Sequence, residues 1–155
     1  MARALLATPG LVYTALVTHS RRALALLLPS LASSAAAPPN APLASQAYRF
    51  EDLPVRASGP AKQRRILEGE THTGFPIELH QTELPAASGS HPPHRHAHDE
   101  LLMVREGTLE VMIAGKTTVL GPGSVAYFAS NDEHGLRNVG ATPAQYFALA
   151  LGRDK

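Results

Sequence analysis

The stretch HPPHRHAHDE, residues 91–100, places four histidines and two carboxylates in ten positions, and holds half of the chain's eight histidines. A His-rich tract of this kind can chelate metals without specificity, and solvated loop histidines are common. Spacing narrows the choice. His94 and His96 stand at i and i+2, so in an extended chain both imidazoles point to one side. Glu100 has the same parity and can bring a carboxylate to the same face. His98 also shares it. A built site would need a further ligand from a distant part of the chain, and His134, with an apolar strand pattern behind it, is the natural candidate.

Outward from this stretch the chain reads as strands and turns. From about Ile66 onward, short apolar runs are separated by Gly, Pro and Asn. Phe75–Leu84 alternates, with Ile77, Leu79 and Gln81 on one face and Glu78, His80 and Thr82 on the other. Leu101–Val104 is continuously apolar and ends at Gly107. Leu109, Val111 and Ile113 alternate with Glu110 and Met112. Ala114-Gly115-Lys116 turns that strand, and residues 117–120 return as a hairpin. Gly121-Pro122-Gly123 is a second strong turn signal, followed by strand patterns over 124–128, 134–139 and 145–151. No segment after residue 47 sustains a 3.6-residue period for three turns. Strands about ten residues apart with turns between them indicate an all-β sandwich or barrel. His72 and His80 read as polar strand positions, with the barrel lining as the alternative for His80. Tyr127 reads as a core aromatic, with a pocket hydroxyl as the alternative.

Composition sets the outer bounds. A chain of 155 residues, 44% hydrophobic and only 17% charged, is that of one globular domain with room for a tail. Without cysteine, disulfides and thiolate ligands are both excluded. The formal net charge of +1 makes no electrostatic case for nucleic acid. The positive balance sits at the N-terminus: residues 1–47 carry Arg3, Arg21 and Arg22 and no carboxylate before Glu51. An arginine pair, an apolar run from Ala23 to Leu31 and then small residues follow the layout of an export signal. Ser20-Arg21-Arg22 with Leu24 resembles a twin-arginine signal, although Ala25 and Leu26 depart from its usual residues. The apolar run is far short of the roughly 20 residues needed to span a bilayer. Residues 1–47 are therefore expected to be an export signal with a Pro/Ala/Ser-rich linker, and 48–155 a single domain. Cleavage is expected near Ala36 or as late as Ala47, delivering a periplasmic or extracellular protein. The alternative is a cytoplasmic protein with an N-terminal extension.

The residues now assembled resemble the two motifs of the cupin superfamily. Gly89, His94, His96, Glu100 and Gly107 follow the first, G-X5-H-X-H-X3-4-E-X6-G, with four residues instead of five before His94. Gly123, His134 and Asn138 follow the second, G-X5-P-X-G-X2-H-X3-N, with Ala129 and Asn131 in place of its Pro and inner Gly. Asn131 can still make that turn by adopting positive φ. The resemblance implies a double-stranded β-helix, or jelly-roll barrel, with a non-core N-terminal extension. It also implies one divalent transition metal held by His94, His96, Glu100 and His134. Nitrogen and oxygen ligands suit iron, manganese, nickel, zinc or copper, and Glu100 would either bind the ion or orient a group beside it. His91 and His98 fall at non-ligand positions of the motif, as loop or mouth residues.

Four protein ligands leave two positions on an octahedral ion for a small polar or anionic molecule. A metal-dependent dioxygenase is the first functional expectation, with an isomerase-type enzyme as a variant; no catalytic base is named by the sequence. The alternative is a non-catalytic binder of a small molecule or metal, and behind it a metal that only pins a small barrel. No G-x-S-x-G, P-loop or dinucleotide fingerprint is present. A domain of about 105 residues is marginally stabilised, and a homodimer covering its edge strands is compatible with that.

Overall fold

Short, turn-bounded segments, most of them alternating, build nine antiparallel strands among the described residues. A computed structural model describes residues 41–154. The strands are β1 (Arg56–Ser58), β2 (Ala61–Glu70), β3 (Pro76–Leu84), β4 (Asp99–Glu106), β5 (Leu109–Ile113), β6 (Lys116–Leu120), β7 (Val125–Phe128), β8 (His134–Asn138) and β9 (Ala144–Leu151). They form a six-stranded sheet in the order β1-β2-β3-β9-β4-β7 and a three-stranded sheet in the order β6-β5-β8. The only helical element among the described residues is one 3-10 turn, Phe50–Asp52. None of the described helices is long and apolar enough to cross a membrane. The arginine pair and apolar run expected to direct export lie outside the described residues. At the described N-terminal end, the Leu43 N–H donates to the Glu70 carbonyl, and its side chain packs over Gly69.

The core lies between the sheets. Leu84, Leu102, Val104, Ala126, Phe128, Ala144, Tyr146 and Ala148 face inward from the larger sheet, and Leu109 and Val111 from the smaller. The inward parity also explains Tyr127. Along β7 the burial alternates, so Ala126 and Phe128 go in while Val125 and Tyr127 go out. Tyr127 is 53% exposed, which corrects its reading as core. Either parity of VAYF is apolar, and only the partner strand selects one: Ala126 stands opposite Leu102, whose side chain already fills the core.

Two further expectations are corrected. Strands begin at Arg56, not near Ile66, because β1 and the first half of β2 (RAS and AKQRR) are charged and show no apolar alternation; backbone pairing, of β1 with β2 and of β2 with β3, makes them strands. A bulge between Arg65 and Leu67 shifts the register within β2, which further hides its period. His72 occupies the turn between β2 and β3 and is exposed, so it is not a strand position.

The turns carry the motif residues. Ala114 and Gly115, both at positive φ, close the β5–β6 hairpin in two residues, the geometry that matches strand twist. Asn131 adopts φ 64°, supplying the turn where the motif has Gly. At Gly107, φ is 80° and an added Cβ would lie 2.6 Å from the Ala144 Cα, so no side chain fits. Asn138 is 1% exposed. Its Nδ2 donates to the carbonyls of Leu84, Pro85 and Thr142, and its Oδ1 accepts the Gly140 N–H. One side chain thus ties β8 to the end of β3 and to the loop leading into β9. At roughly 1 kcal/mol per hydrogen bond, with added cost for carbonyls left buried and unpaired, Asn138→Ala should lower stability by about 2–4 kcal/mol in chemical denaturation.

Candidate metal centre

Three imidazoles converge because two loops are stitched together by backbone. The His94 N–H donates to the His134 carbonyl at 2.9 Å, and the His134 N–H donates back to His94 at 3.0 Å. The Asn131 N–H donates to the His96 carbonyl at 2.8 Å, and the Arg95 guanidinium to the Asn131 carbonyl at 2.8 Å. The positive-φ turn at Asn131 therefore locks the second loop onto the first. His134 itself is 2% exposed and stacks on Phe128, with ring centroids 4.3 Å apart and planes 9° from parallel.

Hydrogen bonds to backbone set the tautomers. His96 Nδ1 donates to the His98 carbonyl at 2.8 Å, and His134 Nδ1 donates to the Asp132 carbonyl at 2.9 Å. A carbonyl cannot donate, so each Nδ1 carries the proton and each Nε2 presents a lone pair. Both Nε2 atoms are buried without a hydrogen-bond partner, as is Nδ1 of His94. Buried polar atoms are ordinarily paired. Two unpaired Nε2 atoms beside a third imidazole, with one ring nitrogen of each within 4.8 Å of the others, are chemically suited to a cation, and the carbonyl contacts behind His96 and His134 are of the kind that orient metal-binding histidines.

The sequence proposed His94, His96, Glu100 and His134 together. The structure brings the nitrogens of His94, His96 and His134 within 4.8 Å of one another. Glu100 stands to one side of that trio and groups with His96 and His98. Its Oε2 lies 3.2 Å from His96 Nε2, and its side chain is 17% exposed. Two donors about 2.1 Å from one ion at a right angle are about 3 Å apart, so this spacing fits neighbouring ligands. In the neutral Nδ1–H tautomer of His96 this pair is an acceptor facing an acceptor, which a shared cation would relieve.

His98 stacks on His96, with centroids 3.7 Å apart and planes 9° from parallel, and its Nδ1 is 3.8 Å from Asp154. His91 meets His94 edge-on at 4.2 Å. Both therefore buttress the trio from the rim. All these residues line a cavity of about 320 Å3, together with Glu78, His80, Tyr146, Ala148 and Ala150. That volume suits a small molecule. Glu78, His98, Ala150 and Asp154 also line a larger, more open depression, so the cavity reaches the surface along that side.

His80 is the residue whose role in the cavity the sequence left open. On β3 Glu78 and His80 line the cavity and Thr82 is buried behind them, while Ile77, Leu79 and Gln81 lie on the other face of the sheet, where Gln81 is buried beneath Arg64. An alternating strand does not reveal which face is the core when the core holds a polar cavity. Register was the missing signal: Glu78 stands opposite Ala150, and Ala150 opposite Glu100.

Burial pushes the pKa of His80, His94 and His98 below the ordinary imidazole value, and neighbouring imidazoles push His94 and His98 further down. Folded-state values below the unfolded value mean that the unfolded chain binds more protons as pH falls. The contribution of these groups is complete above the unfolded imidazole pKa, about 6.5, and is lost below it. The denaturation midpoint of metal-free protein should therefore fall between pH 7 and pH 5, before the carboxylates titrate; a flat profile across that window would contradict this burial.

Comparison with known proteins agrees with the fold. Residues 80–150 match the family described as Cupin domain. A search of curated proteins finds no match. Among solved structures, an RmlC-like cupin from Shewanella frigidimarina aligns at TM-score 0.59 and 19% identity, covering 71% of this chain and 93% of that one. The polyketide cyclase RemF from Streptomyces resistomycificus aligns at 0.60 and 16%, covering 72% and 82%. A predicted oxalate decarboxylase from Thermotoga maritima aligns at 0.60 and 16%, covering 70% and 100%. At these identities the likeness is one of fold. The jelly-roll sheets, the two motif loops and the family match together identify residues 80–150 of this chain as a cupin domain.

Proposed function

We propose that this protein binds one divalent transition-metal ion through His94, His96 and His134, with Glu100 beside His96, and uses it to engage a small polar or anionic molecule. The observation that carries this reading is the pair of backbone-fixed tautomers, which leave the Nε2 atoms of His96 and His134 buried and unpaired. A bound ion supplies a Lewis acid that draws electron density from a ligand oxygen. The chain's own residues do the rest. Backbone carbonyls hold the imidazoles in place, Phe128 excludes water behind His134, and the rim of His91 and His98 narrows the entrance. Neutral imidazoles with one carboxylate leave a net positive site, which favours an anionic or enolisable ligand.

The favoured chemistry is that of a metal-dependent dioxygenase or an isomerase-type enzyme, because the ligand set leaves positions open and the cavity admits a small molecule. A solved neighbour described as a polyketide cyclase and another described as a predicted oxalate decarboxylase show that the fold hosts enzymes. Non-catalytic binding is the second reading, since the same fold serves both uses. Protein purified without a His-tag should carry close to one ion per chain, and His134→Ala should lose it. Retention of a full ion by that variant would assign binding to the local 91–98 cluster instead. Oxygen uptake by the iron-loaded protein against catechols, thiols and diketones separates enzyme from binder.

Export through the 1–47 segment belongs to the same proposal, resting on the arginine pair and the apolar run that follows it. N-terminal sequencing of protein from the periplasm or medium should find a mature start between about Ala36 and Tyr48. Recovery of only full-length chain in the cytoplasm would reject it.

A further inference from the structure

The stretch 91–100 holds two carboxylates, and the metal reading uses only Glu100. Side chains alternate along β4. Glu100 lines the cavity on the side where Leu102 and Val104 enter the core, so Asp99 lies on the outer face of the sheet. Its backbone is held there by the ladder, opposite Leu151 of β9 and next to the pair of Glu100 with Phe128. Asp99 Oδ1 accepts the Ser130 N–H at 2.8 Å. Tyr127, exposed on the same outer face, has its pKa pushed up by hydrogen bonding to the Asp99 carboxylate.

Ser130 belongs to the turn over residues 129–132, which places two of the candidate ligands. The next N–H, that of Asn131, donates to the His96 carbonyl at 2.8 Å, and that of Asp132 closes the turn on the Ala129 carbonyl at 3.0 Å. The Asp132 carbonyl then accepts His134 Nδ1 at 2.9 Å and so fixes that imidazole's tautomer. This turn is also where the chain departs from the second cupin motif, with Ala129 for Pro and Asn131 for Gly. A proline would hold φ at about −65° with no partner; alanine does not. Asn131 also reaches its φ of 64° less readily than glycine would. The turn therefore depends on partners outside it. Arg95 supplies one, from the mobile end of a side chain on the preceding loop. Asp99 supplies the other, from a short side chain on a regular strand.

We propose that Asp99 is a positioning residue of the metal centre: from the face of the sheet opposite the cavity, its carboxylate holds the 129–132 turn, and through it His96 and His134. The inference rests on the metal reading above and deepens it by giving the second carboxylate of the stretch a part in that site. Asp99 touches neither the ion position nor the cavity; it acts through the Ser130 N–H. A carboxylate accepting a backbone N–H makes a charge-assisted bond, stronger than one between neutral groups.

The test measures zinc affinity of the full-length protein by chelator competition, and the visible spectrum of its cobalt(II) form, which reports ligand geometry. Residues that orient metal ligands typically contribute about 10–100-fold in affinity. Because Ser130 is open to water, Asp99→Ala should weaken zinc binding by about three- to tenfold and change the cobalt spectrum. Asp99→Asn keeps an acceptor oxygen at the same reach and should bring both readouts to within about twofold of native. Gln81→Ala is the control: it removes a fully buried side chain from the same outer face, bound to Arg64 and Gln145 and not to the turn. It should lower the melting temperature and leave both metal readouts native. Native affinity with a native cobalt spectrum in Asp99→Ala overturns the proposal. So does an equal loss in Asp99→Ala and Gln81→Ala, which would reduce Asp99 to a stabilising residue. If Asp99→Ala does not fold, Asp99→Glu, which moves the carboxylate by one methylene, takes its place with the same expectations. Native protein that binds neither zinc nor cobalt refutes the metal reading and this inference with it; the metal content of native protein tells the two failures apart.

Discussion

Two backbone hydrogen bonds between His94 and His134 hold the rest of the site in place. They are a single antiparallel bridge outside the regular ladders, yet they bind the loop before β4 to the start of β8. Loop closure across about 40 residues is costly in entropy, and the ladders of β5 with β8 and of β4 with β9 provide most of what offsets it. Once the bridge is in place, His96 is carried along by the Asn131 N–H on its carbonyl. The three imidazoles then converge with no freedom left to their backbones.

The site sits at the end of the barrel where inward-facing side chains turn polar. Away from the motif loops, Leu84, Leu102 and Leu109 pack at 0% exposure. Towards the motif loops, the inward positions become His80, Glu78, Glu100 and the imidazole trio, with alanines at 148 and 150 between them. Burying unpaired polar nitrogens costs stability, so this half of the barrel depends on other ties. Asn138, with four side-chain hydrogen bonds, is one of them. The Phe128 ring against His134 is another. Residues outside the cavity lining thus support a polar pocket that a small domain would not otherwise keep.

Much of this organisation is legible in single residues. His94, His96 and His134 stand out by spacing, and Gly107 and Asn138 by motif. Each has a physical reason that confirms its place: a close approach to Ala144, and a buried amide satisfied on both ends. The Asn131 turn was readable because asparagine tolerates positive φ. Less legible were β1 and the start of β2, where charged residues become strand only through pairing. Tyr127 was misread because both parities of its strand are apolar.

By itself the sequence determined local things: where strands run, where the chain must turn, and which nitrogen-bearing side chains share a parity. These follow from period-two alternation and from residues with restricted or permissive φ. Tertiary structure alone decided which parity faces inward, because that depends on the register across three strands. It thereby placed His80 and Glu78 across two alanines from Glu100. It also brought His94 and His96 together with a residue almost forty positions away, and set His91 and His98 against them at the side. No local pattern encodes such convergence, since it is created when the two loops close on each other.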